Sequence, residues 1–123
     1  MLAKDLISDL VPALKTSDTG LDALNWMEAF RVSHLPIVNN RTFLGLISDA
    51  DIYDMNAAGE PLGNHRLSLM TPYVFDRQHI YDVVETASRL KLTLVPVLDV
   101  EKQFLGVITQ QDLLQRFSEL IAA

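Results

Sequence analysis

The sequence predicts an α/β (α+β) fold, with two tandem βαββα repeats packed as one pseudo-twofold domain. Three observations carry that expectation. First, the chain aligns with itself when displaced by 60 residues: Ser8 falls on Ser68, Pro12 on Pro72, Asp22 on Asp82 and Pro36 on Pro96. One extra residue enters the second half between Pro96 and Gly106, after which Phe43 falls on Phe104, Gly45 on Gly106, Ile47 on Ile108 and Asp51 on Asp112. Second, the stretches Gly45-Leu46-Ile47-Ser48-Asp49-Ala50-Asp51 and Gly106-Val107-Ile108-Thr109-Gln110-Gln111-Asp112 each read as a buried strand running into a helix. A hydroxyl sits at each junction, with a carboxylate three residues on. Third, a unit of roughly 60 residues buries only about 60% of its unfolded surface and is marginal alone, so two such units are expected to close on each other.

The elements follow in order. Leu2, Leu6 and Leu10 suggest a short amphipathic lead-in helix, and Ala13-Leu14 a short strand after Pro12. Thr16, Ser17 and Asp18 are candidate caps for a helix from about Thr19 to Phe30, because their side-chain oxygens can accept the free amides of a first turn. In that helix Ala23, Leu24, Met27 and Phe30 recur at helical spacing. His34 to Val38 is a near-continuous apolar run, as in a strand covered on both faces. Pro36 has no amide to donate and belongs where no ladder bond is needed. Asn39-Asn40 form a turn, Thr42 to Ser48 the partner strand, and Asp49 to about Met55 a helix. Gly59, Pro61 and Gly63 mark a break, which divides the chain into repeat 1 (residues 1–58), a linker (59–64) and repeat 2 (65–123). The second half repeats the order. Arg66 to Met70 is a short helix, Tyr73 to Phe75 a short strand, and Asp76 a cap for a helix from about His79 to Leu90. Leu94 to Leu98 and Gln103 to Thr109 are strands. A final helix from Gln110 to about Leu120 carries Leu113, Leu114, Phe117 and Leu120 at helical spacing.

Composition narrows the function. Hydrophobic residues make up 49% of the 123 residues and charged ones 21%, so a packed core is expected. The absence of cysteine excludes disulfides, thiolate metal sites and thiol nucleophiles. A net charge of −6 opposes nonspecific nucleic-acid binding, which depends on phosphate neutralisation. No apolar run is long enough to insert in a membrane, and the first ten residues do not read as a signal peptide, so a cytoplasmic location is expected. His34, His65 and His79 lack metal-ligand spacing. Asp49, Asp51 and Asp54 near a helix start suit its dipole better than a cation. No Ser-His-Asp spacing, phosphate loop or dinucleotide fingerprint appears, so an enzyme is not expected. Arg31, Arg41, Lys91 and Lys102 read as solvated surface. Trp26, Tyr53 and Tyr81 read as core filling, with a dimer surface as the other role.

The sequence resembles a CBS domain pair, also called a Bateman module, as a stand-alone protein. The residues that carry the resemblance are Val32-Ser33-His34-Leu35-Pro36-Ile37-Val38 followed by Phe43-Leu44-Gly45-Leu46-Ile47-Ser48-Asp49-Ala50-Asp51-Ile52. The second copy is Leu92-Thr93-Leu94-Val95-Pro96-Val97-Leu98-Asp99, then Phe104 through Leu113. The resemblance implies a regulatory module that binds AMP, ADP, ATP or S-adenosylmethionine in clefts between the repeats, with no obligatory cofactor. It also implies a homodimer, and regulation of an enzyme or transporter in trans.

The residue chemistry agrees with that implication. One ionised carboxylate can accept both hydroxyls of a ribose in charge-assisted hydrogen bonds, and Asp51 and Asp112 are placed for this. Ser48 and Thr109 can bond ribose or phosphate oxygens beside helix amides. By the resemblance each cleft mixes repeats: Ser48 and Asp51 with Leu92 and Thr93, and Thr109 and Asp112 with Val32 and Ser33. Ala50 and Gln111 stand where many nucleotide-binding members carry a second hydroxyl. His34 holds a position where a basic residue meets phosphate in some members, and its counterpart is Leu94, so the Asp51 cleft is expected to suit phosphate better. The structural alternative for His34 is a partly buried strand histidine. Ser48-x-x-Asp51 and Thr109-x-x-Asp112 also fit helix capping boxes. A dimerisation or interaction module with empty clefts is therefore the alternative function.

Overall fold

The computed structural model describes residues 1–122, which form nine principal elements. They are α1 (Gly20–Phe30), β1 (His34–Asn39), β2 (Thr42–Ser48), α2 (Asp49–Tyr53), β3 (Val74–Phe75), α3 (Ile80–Leu90), β4 (Leu94–Leu98), β5 (Phe104–Thr109) and α4 (Gln110–Ala122). Short 3₁₀ turns occupy Ala3–Leu6 and Leu62–Asn64. Ala123, the last residue of the expected second repeat, lies outside the described residues.

Each repeat is built on an antiparallel hairpin, β1 with β2 and β4 with β5. Both hairpins are strand-like because apolar, largely β-branched runs face the core on both sides: β4 is buried along its whole length. A third strand adds parallel to the hairpin. In repeat 2 this is β3, with Val74 opposite Val97. In repeat 1 it shrinks to one bridge at Leu14, whose amide donates to the Pro36 carbonyl (2.8 Å) and whose carbonyl accepts from Val38 (2.8 Å). Pro36 thus meets Leu14 with its carbonyl alone, as a residue lacking an amide must. Both hairpins shift register at equivalent places, between Ile37 and Val38 and between Val97 and Leu98. These bulges face Gly45 and Gly106.

The two repeats share one core, which joins Leu35, Ile37 and Ile47 of the first to Val95, Val97 and Ile108 of the second. Equivalent residues meet across the pseudo-twofold axis. The Phe43 and Phe104 rings stack with centroids 6.3 Å apart, and the Phe104 amide donates to the Arg41 carbonyl (2.8 Å). At another point on the interface the Ser33 amide donates to Thr93 Oγ1 (3.0 Å).

Each lead-in segment docks on the other repeat. The Ser8 amide donates to the Val107 carbonyl (2.8 Å), and the Leu46 amide to the Met70 carbonyl (2.8 Å). Gly45 and Gly106 make these crossings possible. A Cβ at Gly45 would lie 2.6 Å from Leu69 Cβ and 2.8 Å from the Met70 carbonyl oxygen, and one at Gly106 would lie 2.5 Å from Ile7 Cγ2. The stretch 59–64 is also packed against repeat 1: Leu62 is buried, and its amide donates to the Asp18 carbonyl (2.7 Å).

Several local expectations are corrected. Residues 66–70 form no helix, because the Met70 backbone pairs with β2 of the other repeat. The α1 cap is Thr19, not Thr16, Ser17 or Asp18. Thr19 accepts from the Asp22 amide and Asp22 returns a bond to the Thr19 amide, while the Asp18 carboxylate is spent on the Lys15 amide. His79 caps α3 instead of Asp76, its Nδ1 accepting from the Tyr81 amide (3.0 Å). The lead-in of repeat 1 is a 3₁₀ turn with Leu10 outside it and exposed. Helix α2 ends at Tyr53, short of Met55. Leu114 and Leu120 are exposed, since α4 meets the core along the one face that carries Leu113 and Phe117. Tyr53 and Tyr81 are exposed rather than core, whereas Trp26 packs at the core's edge.

Candidate functional site

Both strand-to-helix junctions are built alike. Ser48 Oγ accepts from the Asp51 amide (3.1 Å), and Asp51 Oδ2 accepts from the Ser48 amide (2.9 Å). Thr109 Oγ1 accepts from the Asp112 amide (3.0 Å), and Asp112 Oδ2 accepts from the Thr109 amide (3.3 Å). These are reciprocal capping boxes with Asp at the position usually held by Glu or Gln. Capping engages only one oxygen of each carboxylate. Among the described residues, no hydrogen bond is made to Oδ1 of either.

Each carboxylate borders an open cleft between the repeats. The Asp51 cleft has a volume of about 370 Å³ and is walled by the lead-in of repeat 2, from His65 to Leu69, together with Asp54 and Met55. The Asp112 cleft measures about 390 Å³ and is walled by the lead-in of repeat 1, from Asp5 to Leu10, with Gln115, Arg116 and Glu119. Both volumes lie in the range of small-molecule sites, roughly 300–1,000 Å³.

The expected pairings across repeats differ from these walls. Leu92 and Thr93 do not line the Asp51 cleft, and Val32 and Ser33 do not line the Asp112 cleft. The physical reason is the crossing at Gly45 and Gly106, which lays the lead-in segments along the outer edges of β2 and β5. Val32 and Leu92 are buried instead, beside equivalent grooves between α1 and α2 and between α3 and α4. A glycine inside a strand pattern signals close backbone approach, and it is the sequence feature that could have revealed those walls.

Ser33, His34 and Thr93 form a node of their own between the repeats. His34 Nδ1 lies 3.0 Å from Thr93 Oγ1 and 3.2 Å from Ser33 Oγ. The Ser33 and Thr93 carbonyls accept from the Asp49 and Gln110 amides, which ties this node to both helix starts. Burial pushes the His34 imidazole below its usual pKa, against the opposing pull of Asp49 and Asp51. His34 is thus a partly buried strand histidine, and it does not line the Asp51 cleft.

Duplicated hairpins, crossed lead-ins and paired clefts define a two-repeat module with one cleft beside each strand-to-helix junction. The sequence matches the CBS domain family over residues 3–56 and 68–119, and the chain belongs to that family as a CBS domain pair. No curated protein matches it in sequence. Among solved structures it is similar to a CBS domain pair/ACT domain protein from Thermotoga maritima, at 20% identity and a TM-score of 0.81, over 98% of each chain. CBSX2 in complex with AMP is similar at 22% identity and a TM-score of 0.74, over 97% of each chain. The CBS domain of a bacterial CNNM/CorC family Mg2+ transporter in complex with ATP is similar at 16% identity and a TM-score of 0.67, over 94% of this chain and 85% of that one. At these identities the likeness establishes the fold. CBS domain pairs are in general regulatory, non-catalytic modules. Among the described residues no helix is long and apolar enough to cross a membrane, and no group of three His, Asp or Glu is placed to hold a metal ion.

Proposed function

We propose that the chain is a non-catalytic sensor. It binds an adenosyl ligand (AMP, ADP, ATP or S-adenosylmethionine) in its inter-repeat clefts and signals metabolic state to an enzyme or transporter in trans. The observation that carries this reading is the pair of open clefts, each bordered by an aspartate with one oxygen uncommitted. A ribose diol can take that oxygen without dismantling the cap. The AMP and ATP complexes of structurally similar CBS domains support the ligand class.

Thermal denaturation of the wild type, Asp51→Ala and Asp112→Ala with each of the four ligands tests the reading. A ligand at 100 times its dissociation constant adds about 2.7 kcal/mol, which raises the melting temperature by several degrees in a domain of this size. At least one ligand is expected to do so, and at least one alanine variant to abolish the shift. No shift with any ligand at millimolar concentration would leave the interaction module as the better reading.

That second reading has one observation in its favour. Leu21 and Tyr81 are equivalent by the repeat, as are Tyr53 and Leu114, and all four are exposed on the helices (54%, 71%, 73% and 63%). A duplicated apolar face suits a second copy of the chain, so under either reading the chain is proposed to act as a homodimer joined through its helices.

A further inference from the structure

The two clefts share a skeleton and differ in chemistry. By the internal repeat, His65 and Arg66 of the Asp51 cleft stand where the Asp112 cleft has Asp5 and Leu6, and Leu69 stands where it has Asp9. Around Asp112 the walls bring Asp5, Asp9 and Glu119, against the one guanidinium of Arg116. That guanidinium is already drawn to Glu119, with Nε 4.0 Å from its carboxylate. Around Asp51 the only other carboxylate is Asp54, and Arg66 makes no ion pair among the described residues. His65 adds a second, independent sign: its Nε2 is out of solvent contact and has no hydrogen-bond partner. An unpaired buried nitrogen costs free energy, and a turn of the ring toward the cleft would bring it to a ligand oxygen.

The geometry points to one anionic nucleotide per chain, held in the Asp51 cleft with its phosphate read by Arg66 and His65, and excluded from the Asp112 cleft by Asp5, Asp9 and Glu119. This rests on the sensor reading and goes further, because it assigns the charge of the ligand to one cleft and to residues outside the strand-to-helix junctions. Carboxylates a few ångströms from a phosphate repel it, since their separation falls inside the screening length of about 8 Å at physiological salt. Arg66 offers a planar fork of donors matched to phosphate oxygens. The Asp112 cleft is left for a neutral or cationic adenosyl ligand.

Isothermal titration of the full chain with adenosine, AMP and S-adenosylmethionine tests this. AMP is expected to bind once per chain. Arg66→Ala should weaken AMP about tenfold or more, as loss of a hydrogen bond to a charged group does, while adenosine binding stays nearly unchanged. His65→Ala should also weaken AMP more than adenosine. Asp112→Ala and the surface control Arg41→Ala should leave AMP binding intact. Two AMP molecules per chain, full AMP affinity in the Arg66→Ala/His65→Ala double variant, or AMP binding lost in Asp112→Ala would each overturn the assignment while leaving the sensor standing. Failure of all three ligands, and of ADP and ATP titrated alongside them, to bind would overturn the sensor reading itself. Arg66 is exposed, so its removal should not unfold the chain, and circular dichroism of each variant checks this.

Discussion

His34 shows how one side chain couples protonation to the join between repeats. Its ring is partly buried and hydrogen-bonded to Thr93, a residue of the other half. Burial lowers its folded pKa, so below the unfolded value of about 6.5 the unfolded chain binds the proton more readily than the folded one. Stability from this group is therefore complete above about pH 6.5 and falls as the solution is acidified through the lowered folded pKa. Urea midpoints between pH 5 and 7.5 should rise with pH in the wild type and rise less steeply in His34→Gln, which keeps a hydrogen-bonding side chain without the titration. An equal slope in the two proteins would show that His34 is not the group responsible. The aspartates at the helix starts follow a different logic. Each is the third-position partner in a capping box, so an Asp→Ala change removes its bond from the Ser48 or Thr109 amide as well as a ligand contact, costing about 0.5–1.5 kcal/mol even without ligand. The thermal-shift comparison therefore has to be made between liganded and free forms of the same variant.

At the next level up, the strands β2 and β5 decide where the clefts lie. Gly45 and Gly106 have φ of 150° and 154°, which side chains rarely adopt, and both are crossed by the other repeat's lead-in. An alanine at Gly45 meets a Cβ and a backbone carbonyl that cannot step aside, whereas at Gly106 the close contact is one side-chain methyl, Ile7 Cγ2, with the nearest backbone atom 3.9 Å away. Gly45→Ala should cost about 2–4 kcal/mol through overpacking and strain, with Gly106→Ala costing less. Gly59→Ala, whose nearest contact is 3.9 Å away, should change stability by less than about 1 kcal/mol. Denaturant unfolding measures all three. Similar values throughout would mean that the crossings contribute little to stability. The same glycines explain why the helix expected at 66–70 does not form. A segment with helical composition lies extended because β2 offers it a backbone partner.

As a whole, the molecule is two halves that complete each other. Each lead-in is held by the opposite hairpin, and one core runs through both repeats. The outer face of the helices is left apolar at repeat-related positions. If a second copy covers it, the wild type should sediment as a dimer at micromolar concentration, and Leu114→Glu or Tyr81→Glu should sediment as a monomer with an unchanged far-ultraviolet spectrum. A monomeric wild type would rule out this use of the face.

Outside the two lead-in segments, the order of strands and helices was legible in the sequence, as were the duplication and the two capping junctions. They depend on local patterns: hydroxyl–carboxylate spacing at Ser48 and Asp51, helical spacing at Ala23 and Met27, and unbroken apolar runs in β1 and β4. The walls of the clefts were not legible, because they join residues far apart in the chain. Asp51 faces His65 and Arg66, and Asp112 faces Asp5 and Asp9, only because each lead-in crosses a glycine of the other repeat. Local propensity ranks short segments one at a time. It carries no information on which backbone edge will be free to pair with them, and that pairing sets the charge of each cleft.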